Sequence, residues 1–145
     1  MTDDVSWFEN LLRSVGEYQL DQQDHIDAAS SDHKGRIDLV TDVDRESERR
    51  LVDQLDSRFP DDAILAEEET ARKGTSGRQW IIDPLDGTTN YVHGHPFYGI
   101  SVGLKDGETL TEGYTYFPAM DDYYRARKGE GAYKNGDPIS VSTAD

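Results

Sequence analysis

The eleven residues from Trp80 to Asn90, WIIDPLDGTTN, put two aspartates three positions apart directly after an apolar run and follow them with Gly-Thr-Thr. That order suits a site for a small hard cation and a phosphate. Trp80, Ile81 and Ile82 are β-formers, so Asp83 is expected where a buried strand reaches the end of its sheet. Pro84 fixes its own φ and predicts a tight reversal. The reversal would bring the Asp83 and Asp86 carboxylates and the Leu85 carbonyl to one side, the all-oxygen environment that magnesium prefers. Gly87 frees the backbone, and the amides of Gly87, Thr88 and Thr89, at the start of a short helix, can face an anion. The competing possibility is an Asp-Gly turn in which Asp86 caps the short helix and no metal is needed.

Elements on both sides must hold that run in place. Val5, Phe8, Leu11, Leu12, Val15 and Tyr18 are spaced by threes and fours, which predicts an amphipathic helix from residue 4 to about 28. The polar run from Ala28 to Arg36 reads as a loop carrying Lys34, a solvated lysine. Ile37 to Val40 reads as a short extended piece. Thr41 or Asp42 then caps a second helix, from about 42 to 58, with Val43, Leu51, Val52 and Leu55 facing inward. Ala63 to Ala66 predicts an apolar strand, and the polar TARKGTSGR a mobile loop. Beyond Phe97 the pattern changes to antiparallel strands at Tyr98 to Leu104, Leu110 to Phe117 and Tyr123 to Arg127. An Asn135-Gly136 turn and an incipient strand follow. Tyr123, Tyr124 and Tyr133 belong to the core or the sheet face. The expected class is α+β: two amino-terminal helices packed on a mostly antiparallel sheet, with acidic strand ends on one rim.

The 145 residues fit one domain. Thirty acidic against fifteen basic residues give a formal net charge of -15, which argues against nucleic-acid or anionic-membrane partners. Any phosphate must therefore be held locally. Asp outnumbers Glu twenty to ten and Arg outnumbers Lys ten to five, a balance that suggests a salt-adapted chain whose self-repulsion ions screen. There are no cysteines, which excludes disulfides, thiolate catalysis and cysteine-ligated metals. The acidic start MTDDVSWFEN lacks an apolar run, so a cytoplasmic location is expected. His93 and His95 could suggest zinc, but they stand two residues apart with no third soft ligand.

Four segments, LVTDVDRESE from Leu39 to Glu48, ILAEEE from Ile64 to Glu69, WIIDPLDGTTNYVHGHPFYGISVGL from Trp80 to Leu104 and KGEGAYKNGDPI from Lys128 to Ile139, resemble the inositol monophosphatase family. Its members are magnesium-dependent, lithium-sensitive phosphatases of sugars and inositol, and the order of the segments is the family's. The resemblance implies the first half of that layered fold, which fructose-1,6-bisphosphatases share. It also implies two or more Mg2+ ions, with Glu67, Asp83 and the Leu85 carbonyl holding the first and Asp83 and Asp86 a second. Asp44 and Thr88 resemble the pair that orients the attacking water, while Gly87, Thr88 and Thr89 resemble the phosphate-holding backbone.

Family members are about twice as long, and their second half carries a W-D-x-A-A-G type motif that this chain lacks. The resemblance therefore implies an amino-terminal portion, 1–145, of such a domain, with an exposed sheet edge or apolar face where the other half would pack. The implied partner is a small phosphate ester: an inositol phosphate first, then fructose 1,6-bisphosphate, histidinol phosphate or a 3'-phosphoadenosine nucleotide. The full-length form allows a homodimer. Two other expectations stand beside the hydrolase. One is an inert fragment that binds metal weakly. The other is an acidic binding module, whose stability would not respond to divalent cations.

Overall fold

The computed structural model describes residues 2–28, 33–66 and 69–140. Helix α1, Thr2–Ala28, buries Phe8, Leu11, Leu12 and Val15, the stripe that its spacing predicts, and Ile26 near its end. Helix α2, His33–Arg58, buries Val43, Leu51, Val52 and Leu55 as expected.

The start of α2 differs from the sequence pattern. The segment read as the end of a loop and an extended piece is already helical from His33, while residues 29–32 lie outside the described ones. Val40 and Val43, one turn apart, are both buried in a cluster with Ile26, Leu85, Tyr91 and Tyr98. That burial outweighs the modest β preference of Ile37 to Val40. Thr41 is no cap, because its hydroxyl donates to the Ile37 carbonyl four residues back at 3.0 Å, as a mid-helix threonine does.

Eight strands form one sheet: β1 Ala63–Ala66, β2 Glu69–Arg72, β3 Arg78–Asp86, β4 Gly99–Asp106, β5 Thr109–Phe117, β6 Asp122–Arg127, β7 Gly131–Lys134 and β8 Asp137–Ile139. Their order across the sheet is β2-β1-β3-β4-β5-β6-β7-β8, and every pair is antiparallel except β1 with β3. The expected α+β class is what is found. The stretch read as a mobile loop begins with the last three residues of β2, which pairs with β1 from Ala66↔Glu69 to Ile64↔Arg72. Its remainder is pinned, since the amides of Thr75 and Ser76 both donate to the Asp61 carbonyl. Asp62, 5% exposed, accepts from Ser76, Arg78 and the Trp80 indole. Hairpin pairing supplied partners that the polar composition of this stretch did not advertise.

The helices cover one face of the sheet. There Phe8 stacks on Tyr114 with ring centroids 4.0 Å apart and meets Trp80 at 5.2 Å. Tyr123 is buried in the same core, while Tyr124 and Tyr133 are half-buried on the sheet. Register places Leu65, Ile81, Gly103, Gly113, Ala126, Ala132 and Ile139 in one row on the other face, where Ile81 and Ile139 are exposed. No described helix is long and apolar enough to cross a membrane.

Candidate active site

Strand β3 carries Trp80 and Ile82 into the core and then meets an irregularity. Asp83 pairs with Ser101 and Asp86 with Gly99, so β3 uses three steps where β4 uses two. The tight reversal expected at Pro84 is not there; the strand bulges instead and runs on to Asp86. Proline suits a bulge because it has no amide hydrogen to leave unpaired. In a regular strand, residues three apart point to opposite faces, whereas one extra residue returns Asp86 to the side of Asp83. Leu85, between them, is 3% exposed and anchors the bulge in the cluster of Ile26, Val40, Val43, Tyr91 and Tyr98.

The reversal falls at Gly87, whose φ of 87° and ψ of 42° are left-handed. A β-carbon there would stand 2.8 Å from the Phe97 carbonyl oxygen, so both the dihedral and the space call for glycine. Helix α3, Thr88–Val92, follows with Gly87 as its cap residue and no side-chain cap bond. Asp86 therefore does not cap the helix, which removes the alternative role given to it above. The first-turn amides have no acceptor within the helix. Asn90 ties α3 to the chain entering β4 by donating to the Phe97 carbonyl at 2.8 Å.

Asp44, half-buried on α2, completes the arrangement. Together with Asp83, Leu85, Asp86, Gly87 and Thr88 it lines an open cleft of about 560 Å³. Asp44 and Thr88 also line an adjoining cleft of about 590 Å³, with Thr89, Arg45, Glu48 and His93. Asp86, Thr88 and Thr89 are exposed, and Asp83 is half-buried. Of the expected site residues, Glu67 alone lies outside the described ones; Ala66, just before it, stands beside Ile82 in the parallel pairing of β1 and β3. Lys34 is exposed in the first turn of α2 rather than on a loop.

The donor set is all oxygen, as a hard cation requires. Among the described residues, no group of three or more His, Asp or Glu forms a closed cage. The two β3 carboxylates and the Leu85 carbonyl nonetheless fit magnesium, which commonly takes one or two carboxylates and keeps several waters. The rings of His93 and His95 are 6.3 Å apart, and neither belongs to a metal cluster among the described residues.

Sequence patterns missed the polar residues beneath this site. Gln19 and Gln23 are buried on α1, and Ser47 is buried on α2. Gln23 donates to the Tyr91 carbonyl at 3.1 Å and accepts from the Tyr98 hydroxyl at 3.2 Å. Burial pushes the Tyr98 phenol up to about 12, so it stays a neutral donor. A signal was present, because Gln19 and Gln23 stand four and eight residues beyond Val15, where the buried stripe would continue.

The model of the Inositol monophosphatase family matches residues 9–145. An inositol monophosphatase of Mesembryanthemum crystallinum is 42% identical over 118 residues, covering 79% of this chain and 44% of that protein. A fructose-1,6-bisphosphatase/inositol-1-monophosphatase of Thermotoga maritima is 39% identical over 140 residues, covering 97% of this chain and 54% of that one. The crystal structure of the extragenic suppressor protein suhB from Bartonella henselae superposes with a TM-score of 0.84 at 27% identity, over 97% of this chain and 55% of the other. The chain spans about half the length of the relatives it matches.

Proposed function

This chain belongs to the inositol monophosphatase family, and on that premise we propose that it provides the cation and phosphate site of a magnesium-dependent phosphomonoester hydrolase. An inositol phosphate is the first substrate and fructose 1,6-bisphosphate the second. The observation that carries this reading is the shared cleft, where side chains from α2, β3 and α3 converge although they are scattered from Asp44 to Thr88 in sequence.

Asp83, Asp86 and the Leu85 carbonyl are the groups assigned to magnesium, with Glu67 as a further ligand. Magnesium, when bound, supplies positive charge opposite the phosphoryl oxygens and makes a nearby water easier to deprotonate. Asp44 accepts the proton of the attacking water, directly or through the Thr88 hydroxyl, and fixes its direction. The amides of Gly87, Thr88 and Thr89 hold phosphate oxygens, and the missing side chain at Gly87 lets the ester approach the backbone. No side chain has to bond to phosphorus.

Phosphate release from inositol 1-phosphate, fructose 1,6-bisphosphate, histidinol phosphate and a 3'-phosphoadenosine nucleotide, with magnesium or with EDTA, tests the proposal. Release should need magnesium and fall by at least ~10²-fold in Asp83→Asn, the scale of losing a central electrostatic group. Release that survives EDTA, or is undiminished in that variant, would remove the site assignment. Magnesium binding without turnover would leave the chain as the inert metal-binding fragment.

A further inference from the structure

The groups assigned to the cleft come from α2, β3 and α3, and one α1 residue is tied to all three, by its side chain to α2 and β3 and by its backbone carbonyl to α3. Gln19 is fully buried. Its Nε2 donates to the Pro84 carbonyl at 2.7 Å and to Ser47 Oγ at 3.0 Å, and its own backbone carbonyl accepts from the Tyr91 hydroxyl at 2.6 Å. Pro84 is the residue between Asp83 and Leu85, Ser47 lies one turn from Asp44 on α2, and Tyr91 belongs to α3.

The amide is more than filler. A leucine would occupy the same core position without a polar group to satisfy, yet Gln19 keeps its Oε1 buried and without a hydrogen-bond partner among the described residues. Its orientation follows from its partner: the Pro84 carbonyl can only accept, so the NH2 must face it. Pro84 also sits in the bulge, where the ladder to β4 is interrupted and a carbonyl needs a partner from elsewhere.

We propose that Gln19 is a positioning residue for the cation site. By holding the Pro84 carbonyl it sets the plane of the Pro84–Leu85 peptide. By holding Ser47 with the same NH2 it sets the distance between the bulge and the helix that carries Asp44. It touches neither cation nor ester, and its role rests on the magnesium reading given above.

Gln19→Leu, Ser47→Ala and Asp83→Asn, compared with the unaltered chain, test this in two measurements: amide hydrogen exchange without metal, and the rise of the thermal midpoint as magnesium is added. Gln19→Leu should exchange faster at residues 85–91 with β4 to β6 unchanged. It should also need about tenfold to a hundredfold more magnesium for half the rise, the usual cost of losing a group that orients a ligand. Ser47→Ala, the milder change, should shift both in the same direction and decides the matter if Gln19→Leu does not fold. Asp83→Asn should leave exchange at 85–91 unchanged and lose the magnesium response.

A midpoint lowered without metal but a normal magnesium requirement would make Gln19 purely structural and overturn the proposal alone, as would unchanged exchange at 85–91. An unaltered chain indifferent to magnesium, or an Asp83→Asn chain that responds normally, overturns the cation reading and this proposal with it.

Discussion

Asp83 and Asp86 line the same cleft although they are three residues apart on one strand, because β3 spends an extra residue between their partners Ser101 and Gly99. Without the bulge the two carboxylates would stand on opposite faces of the sheet. The bulge is thus the structural device that brings the two carboxylates of the strand end to one side, and Leu85, buried at its centre, is what keeps it in place.

Asp86 is exposed, so its carboxylate contributes little to the fold without a ligand. Asp86→Asn should change stability in EDTA by no more than about 0.5 kcal/mol. The same variant should lose most of the rise in thermal midpoint that magnesium gives the unaltered chain, since only a fold that binds the ion gains from it. A full magnesium response in Asp86→Asn, read by calorimetry, would exclude this carboxylate from the cation site.

Gly87 carries the next prediction. Any side chain there meets a left-handed φ and a carbonyl oxygen at 2.8 Å. Gly87→Ala should cost about 1–3 kcal/mol of backbone strain, measured as a lower midpoint in urea. It should also weaken phosphate binding, because relief of the clash displaces the amides of Thr88 and Thr89. An alanine variant as stable as the parent would contradict the geometry of the turn.

Buried phenols set the alkaline limit. Tyr98 is raised to about 12, and Tyr114 and Tyr123 are raised further, in each case chiefly by burial, which disfavours the charged phenolate. A group whose pKa is higher folded than unfolded stabilises the fold fully below the unfolded value. That contribution is lost as pH rises from about 10 through the folded value. Stability should therefore fall above about pH 10, with tyrosinate absorbance and loss of far-UV circular dichroism appearing together. Full ionisation of all eight tyrosines in a folded chain would show that these phenols are accessible.

The charge of -15 leads to a prediction about salt. Several ion pairs relieve it locally; Glu46, held by Arg49 and Arg50, has its carboxyl lowered to about 2. Such pairs leave the net charge of -15 unchanged, since every basic residue is already counted in it, and exposed pairs contribute ~1 kcal/mol or less. Salt that screens the repulsion should raise the thermal midpoint, and dilution to millimolar salt should weaken the fold. Far-UV circular dichroism unchanged from molar to millimolar salt would sink the idea of salt adaptation.

Much of this was legible in the residues themselves. The spacing of Phe8, Leu11, Leu12 and Val15 marks the buried face of α1. The apolar runs at Ile64 and Trp80 mark strands, and DPLDGTT marks the oxygen-rich run with its glycine hinge. These are local properties: a period or a backbone preference depends on near neighbours and can be read one window at a time. What lay outside any window was decided by packing. The stretch from Ile37 to Val40 is helical because Val40 has to reach Tyr91 and Tyr98. The stretch from Glu69 to Arg72 is a strand because β1 offers it an edge. Pro84 sits in a bulge rather than a turn because the chain pairs on with Gly99, and Gln19 is polar because it meets a carbonyl 65 positions away. Residue types and their spacing alone pointed to the oxygen donors for a cation and the backbone amides for a phosphate. That Asp44, Asp83, Leu85, Asp86, Gly87 and Thr88 line one cleft came from packing, because a strand's face and a buried amide's partner are set by contacts between distant segments.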